Sequence, residues 1–180
     1  MPEPRVSVGH YDPVRERRAE LRAQALLRSC VNPEEWAMYS QLGLIRVWGR
    51  AVGHAARVAL DGGAVALYAY LIYPYRPIVA YVPDSTRLLG EYCVAFGDGE
   101  RGTDRLPPSD DVLAKWLALI GDERRLIATA NVHPAGRQLD PVRVRRDLAA
   151  LAAWERGRGT RPQWPPGSLP DRWPPTTDST

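Results

Sequence analysis

A cysteine nucleophile needs a neighbouring base and an exposed, strained turn. The residue types exist here as Cys93 with His54 or His133. The run Leu89-Gly90-Glu91-Tyr92-Cys93-Val94-Ala95, however, reads as a core strand and not as a nucleophile turn. Acid–base chemistry would call for paired carboxylates, and three pairs occur: Glu34-Glu35, Asp110-Asp111 and Asp122-Glu123. Each falls in the first turn of an expected helix, where negative charge complements the exposed amides and the dipole, so capping accounts for all three. Metal binding lacks ligands: His10, His54 and His133 lie far apart, and neither Cys30 nor Cys93 belongs to a CxxC pair. A zinc site from Cys30, Cys93 and His54 would need tertiary convergence. Gly97-Asp98-Gly99-Glu100 has neither the spacing nor the following helix of a phosphate loop. The expectation is a protein without catalytic residues, metal or cofactor, and with no small-molecule ligand.

Binding features are more pronounced. Tyr68 and Tyr70 alternate onto one face of a strand, with Tyr73, Tyr75, Arg76 and Tyr81 near the following corner. Such a face stacks bases, or it is covered by a helix or a neighbouring subunit. Arg143, Arg145 and Arg146, with Arg156, Arg158 and Arg161, form the densest basic region, interrupted by Asp147 and Glu155. It is either a solvated helix face or a contact for an acidic partner or phosphate backbone. The segment Arg161–Thr180 contains Trp-Pro-Pro twice, as Trp164-Pro165-Pro166 and Trp173-Pro174-Pro175. Proline denies it a helix interior or central strand, so its indoles gain most by docking on another surface. At about 3.1 Å per residue in polyproline II geometry, twenty residues reach roughly 60 Å. The tail docks on a neighbouring chain or folds back on its own domain.

These features need a scaffold. The 180 residues suit one domain with tails, and 44% hydrophobic content is enough for a core. The longest apolar stretch, Ala64–Tyr73, is too short for a membrane span, and the polar N-terminus lacks a secretory signal. The expected location is the cytoplasm at synthesis. Cys30 and Cys93 both sit in apolar patterns and read as reduced core thiols. Net charge is only +3, yet of the 24 basic residues only Lys115 is not arginine. A high-GC genome accounts for that bias.

Asp12-Pro13 opens a helix to Val31, with Leu21, Ala25 and Cys30 on its apolar stripe and Leu26 and Leu27 alongside. Asn32-Pro33-Glu34-Glu35 is a capping box for a second helix, lined by Trp36, Tyr39 and Leu42 and stopped by Gly43. The period then becomes that of strands: Leu44–Gly49, His54–Leu60, Ala64–Tyr73, Ile78–Val82 and Arg87–Phe96, with a hairpin at Asp61-Gly62-Gly63. A loop over 97–108 precedes a third helix capped by Ser109 or Asp110. Its stripe is Val112, Leu113, Trp116, Leu117 and Ile120, and Gly121 ends it. Asp122 begins a shorter helical segment through Asn131, His133-Pro134 breaks the chain, and Asp140-Pro141 caps a last helix to about Trp154.

Part of this order resembles a family of small, uncharacterised proteins from high-GC actinobacteria and their phages. The matching features are Leu26-Leu27, Pro33-Glu34-Glu35-Trp36, Tyr39, Gly43 and Ile45–Trp48. They continue through Leu88–Cys93, Leu106-Pro107, Asp110-Asp111, Leu113-Ala114-Lys115, Leu117-Ala118-Leu119, Asp122-Glu123 and Ala130-Asn131. The likeness spans about 26–131. Ala64–Tyr81 is longer and more aromatic than the pattern, which carries a tighter Gly-Asn turn there. The resemblance implies a common α+β domain, makes incorporation into a phage particle a compatible destination, and brings no activity, cofactor or catalytic residue.

The sequence therefore predicts an extended arm over 1–11, one α+β domain over 12–156 and a Pro/Trp-rich tail over 157–180. The domain is an antiparallel meander of four to five strands packed with a helical hairpin and C-terminal helices. Its expected role is a non-catalytic structural or protein-interaction module, self-associating or bound to another protein through Trp164, Trp173 and their prolines with Tyr68 and Tyr70. The alternative is a nucleic-acid-associated accessory protein using the tyrosine strand with Arg143, Arg145, Arg146, Arg158 and Arg161.

Overall fold

The structure, a computed structural model, describes residues 13–50, 57–59, 65–94, 96 and 106–158. The expected N-terminal arm and the tail beyond Arg158, including the two Trp-Pro-Pro units and Arg161, lie outside the described residues, as do His10 and His54.

Helices α1 (Pro13–Cys30) and α2 (Pro33–Leu42) form the expected pair. The box at α2 is reciprocal: the Asn32 side chain accepts from the Glu35 amide at 2.7 Å, and the Asn32 amide donates to the Glu35 carboxylate at 3.1 Å. Gly43, with φ 71°, ends the helix. Strands β1 (Ile45–Trp48), β4 (Ala69–Ile72), β5 (Ile78–Val82), β6 (Arg87–Cys93) and β7 (Asn131–His133) make one antiparallel sheet in the order β1-β4-β5-β6-β7. Strands β2 (Arg57–Ala59) and β3 (Val65–Leu67) pair only with each other, as a separate ribbon within the connection from β1 to β4. The expected strand from Ala64 to Tyr73 is thus divided at Tyr68. The sheet's fifth member is instead β7, three residues that pair Glu91 with His133 and Cys93 with Asn131.

Helix α3 (Pro108–Thr129) is interrupted where the sequence predicts a break: Asp122 has φ −151° and ψ 82°, and its carboxylate caps the second half by accepting from the Arg125 amide at 2.9 Å. At the front end neither Ser109 nor Asp110 is the cap residue. Ser109 is buried, and Glu20 of α1 accepts from both its amide (3.2 Å) and its hydroxyl (2.6 Å). Helix α4 (Pro141–Gly157) starts at Asp140, whose carboxylate takes the Val142 amide.

Helices cover both faces of the sheet. One core joins Ile45, Val47, Tyr70, Ile72, Ile78 and Ala80 to Leu27 of α1 and to Val112, Trp116 and Leu119 of α3. The other joins Leu44, Leu71, Val79 and Tyr81 to Met38 of α2 and to Val144, Leu148 and Leu151 of α4. An antiparallel sheet with one wet face alternates apolar and polar residues. Here β4 and β5 are buried at every position, which accounts for their unbroken apolar runs.

Three side-chain expectations are corrected. On α1 the inward stripe is Ala23 and Leu27, continued by Val31, while Leu21 (58% exposed), Leu26 (51%), Ala25 and Cys30 face outward. The bonds from Glu20 to Ser109 fix the helix's rotation, and Ala23 and Leu27 follow Glu20 at helical spacing. Cys30 is accordingly exposed and Cys93 half-buried, so they are not a pair of core thiols. On α3, Leu117 is exposed and Lys115 is buried in its stead.

Candidate functional site

The tyrosine strand and the second half of α3 meet at one carboxylate. Glu123 Oε1 accepts the hydroxyls of Tyr68 at 2.6 Å and Tyr70 at 2.8 Å, and Oε2 accepts the Arg50 backbone amide. The Arg50 guanidinium donates to the Ile120 carbonyl at 2.8 Å, just before the break in α3. Tyr68 and Tyr70 stand edge to face at 5.5 Å between centroids, and Tyr92 meets Tyr70 at 6.2 Å. Gly49 is required at this point: a Cβ there would stand 2.0 Å from the Tyr68 ring. The arrangement is a clasp. Both Glu123 oxygens take donors from β1's end and from the tyrosine strand, tying the broken helix to the sheet.

Tyr70 is only 3% exposed and Tyr68 is half-buried. The pair is therefore neither an open stacking platform nor a ready interface. The covered-face explanation applies, with α3 as the cover.

Burial, followed by Glu123, pushes both phenols far above the usual tyrosine range. Tyr73 is raised by burial and then by Asp147, and Tyr81 is pushed up to about 12, with burial the first cause. Groups whose folded pKa is raised contribute stability that is full below their unfolded value near 10 and is lost as pH rises through the folded values. Tyrosinate absorbance should consequently appear late, and in step with loss of the helical circular dichroism signal, between about pH 10 and 12. Ordinary titration of Tyr68 and Tyr70 near 10 with the fold intact, read as the loss in absorbance on Tyr68→Phe and Tyr70→Phe, would contradict the clasp.

The other chemically suggestive groups are also engaged. Glu35 completes the α2 cap and accepts the Trp116 indole N–H at 3.2 Å. Lys115 donates to the Asp111 carboxylate (2.6 Å) and to the carbonyls of Tyr73 (3.0 Å) and Arg76 (2.9 Å). Asp111 also accepts the Tyr75 amide at 2.7 Å. Of the paired carboxylates, Glu35 and Asp122 cap helices as expected, whereas Asp111 and Glu123 bridge distant elements. Burial, then Glu91, raises the Cys93 thiol, the opposite of what a thiolate nucleophile requires. Among the described residues no cluster of His, Cys, Asp and Glu is placed to hold a metal ion, and no helix is long and apolar enough to cross a membrane.

The arginine run lies on α4, where Arg143, Arg145, Arg146, Arg156 and Arg158 are all exposed. The two acids that interrupt it in sequence do not interrupt it in space. Glu155 contacts Arg46 as an ion pair, leaving its side chain 13% exposed. Asp147 faces the hydroxyl of buried Tyr73 from the sheet side, short of a well-formed hydrogen bond. Arg158 folds back over Trp154, 4.7 Å above the ring. The sequence carries the signal for the arginines. The inward turn of Glu155 depends on Arg46, which lies far away in the chain.

No family model matches the chain, and no curated protein or solved structure shows significant similarity to it.

Proposed function

We propose that this chain is a non-catalytic, phage-derived structural or protein-interaction module whose Trp-Pro-Pro tail docks on a neighbouring chain. The observation that carries the reading is how the last helix is fastened. The Trp154 indole N–H donates to the Gln41 side chain at 2.8 Å, and Arg158 stacks on the same ring. α4 is thereby locked to α2 before the tail begins, and both tail tryptophans follow the locked turn in sequence. Large indoles in a proline-stiffened segment are suited to anchoring, because little flexibility is lost on binding. The buried charged side chains support the same reading, since each joins two elements of the fold. The pattern likeness to actinobacterial and phage proteins supplies the phage setting.

Removing residues 160–180 should leave the melting curve of the domain unchanged while lowering the mass of the assembly. Light scattering at matched concentration reads the result, and an unchanged mass distribution with the tail deleted would count against the proposal.

A further inference from the structure

We infer that the solvent face of α4 binds the phosphate backbone of duplex DNA, a contact separate from the tail's and independent of that reading. The argument begins with charge sorting. A chain of net charge +3 presents α4 with four exposed arginines, Arg143, Arg145, Arg146 and Arg156, and with both of that helix's acids half-buried, whereas the five exposed arginines of α1 share their surface with exposed Glu16. Arg46 holds Glu155 inward through their ion pair, and Asp147 is half-buried on the side of α4 that faces Tyr73.

The arrangement of the arginines selects the partner. At about 100° per residue, Arg145 and Arg156 fall on one flank of the solvent face, Arg143 on the other and Arg146 between them. The centre of the face is Arg146 and Ala153, with Ala149 and Ala150 to either side, all exposed. Arg145 and Arg156 are separated by about 16 Å of helix. A protein interface is carried by large, mostly aromatic anchors at its centre, and this face has no aromatic side chain there, only alanines around Arg146. Its one exposed large apolar residue, Val142, lies at the helix start. A phosphate backbone needs no such anchor: it is gripped by guanidinium forks, and small residues between them allow close approach. Single strands are held largely by stacking on aromatic side chains. Tyr68 and Tyr70 are closed in the Glu123 clasp, so the basic face favours a duplex.

The test is fluorescence anisotropy of the full chain with a labelled mixed-sequence duplex of about 20 base pairs, titrated between roughly 50 and 200 mM salt. Wild type should bind with an affinity that falls as salt rises. The triple variant Arg145→Gln, Arg146→Gln, Arg156→Gln should bind at least tenfold more weakly, with a log–log salt slope shallower by about 2–3. Glutamine at these exposed helix positions keeps the helix propensity, and an unchanged melting curve checks the fold. The control triple Arg17→Gln, Arg18→Gln, Arg22→Gln on α1 carries the same charge change and should leave the slope in place. No binding at low salt, an unchanged slope in the α4 variant or equal losses in both variants would overturn the inference. Tighter binding of a single strand of the same length would overturn the choice of duplex. Equal competition by polyglutamate would replace DNA with an acidic protein as the partner.

Discussion

Glu91→Ala should destabilise the fold by about 3–5 kcal/mol, among the largest effects of any single substitution here. Glu91 is 1% exposed, and its carboxylate is the acceptor for three backbone amides of the loop between β7 and α4. Gly136 donates at 2.8 Å, Gln138 at 2.6 Å and Leu139 at 3.3 Å. Hydrogen bonds to an ionised group are stronger than neutral ones, and alanine would leave donors with no partner in a dry site. The loop they hold also places Leu139 in the second core and delivers Asp140 to the start of α4. Glu91→Gln should cost less, roughly 2 kcal/mol, because its amide keeps one acceptor oxygen but turns a donor toward the remaining N–H groups. Urea unfolding with an unchanged m value checks both. An alanine variant within about 1 kcal/mol of wild type would show that the loop is held by something else.

Lys115→Met should be comparably severe, at about 3–5 kcal/mol, although the two side chains are of similar length. Lys115 is 2% exposed, and its ammonium neutralises Asp111 while satisfying the carbonyls of Tyr73 and Arg76 at the corner from β4 to β5. Methionine fills the space but leaves Asp111 charged in a poorly solvated position. Adding Asp111→Asn should recover part of the loss, because the uncompensated charge is then gone. A purely additive double variant would contradict this. The chain's only lysine also supplies a direct readout: amine-reactive reagents should leave Lys115 unmodified in the folded protein and label it after unfolding. Peptide mass mapping of the native sample would expose the opposite result.

Both predictions concern groups that the sequence signals only faintly. Lys115 falls at helical spacing from Val112 and Leu119, on a stripe otherwise apolar, and Glu91 interrupts an apolar strand. Asp111 lies one helical turn from Lys115, but the carbonyls that Lys115 satisfies and the amides that Glu91 accepts lie some 40 residues away, so spacing alone could not give their roles. Elements set by neighbouring residues were readable: the Asn32 box, the Gly43 stop, the break at Gly121-Asp122 and the Asp140 cap all rest on bonds within a few positions. The rotation of α1 was not, because its sequence offers two apolar stripes and Ser109 chooses between them from 89 positions away. Strand β7 escaped for a related reason: three residues beside a proline form a strand only because β6 offers an edge. The same holds for the candidate sites. The arginines of α4 were visible as composition. The closure of Tyr68 and Tyr70 by Glu123, and the withdrawal of Asp147 and Glu155, required the fold.

The double covering of the sheet has a consequence for the chain as it leaves the ribosome. Leu71, Val79 and Tyr81 are made early, yet the residues that cover them include Leu139, Val144, Leu148 and Leu151. Until α4 has emerged, a nascent chain with its sheet formed would carry one greasy side open to water, the kind of surface on which incomplete chains aggregate. A stop codon ahead of α4 would yield a half-lined sheet instead of a smaller working protein. Synthesis must run nearly to the end of the described fold before the molecule can protect itself.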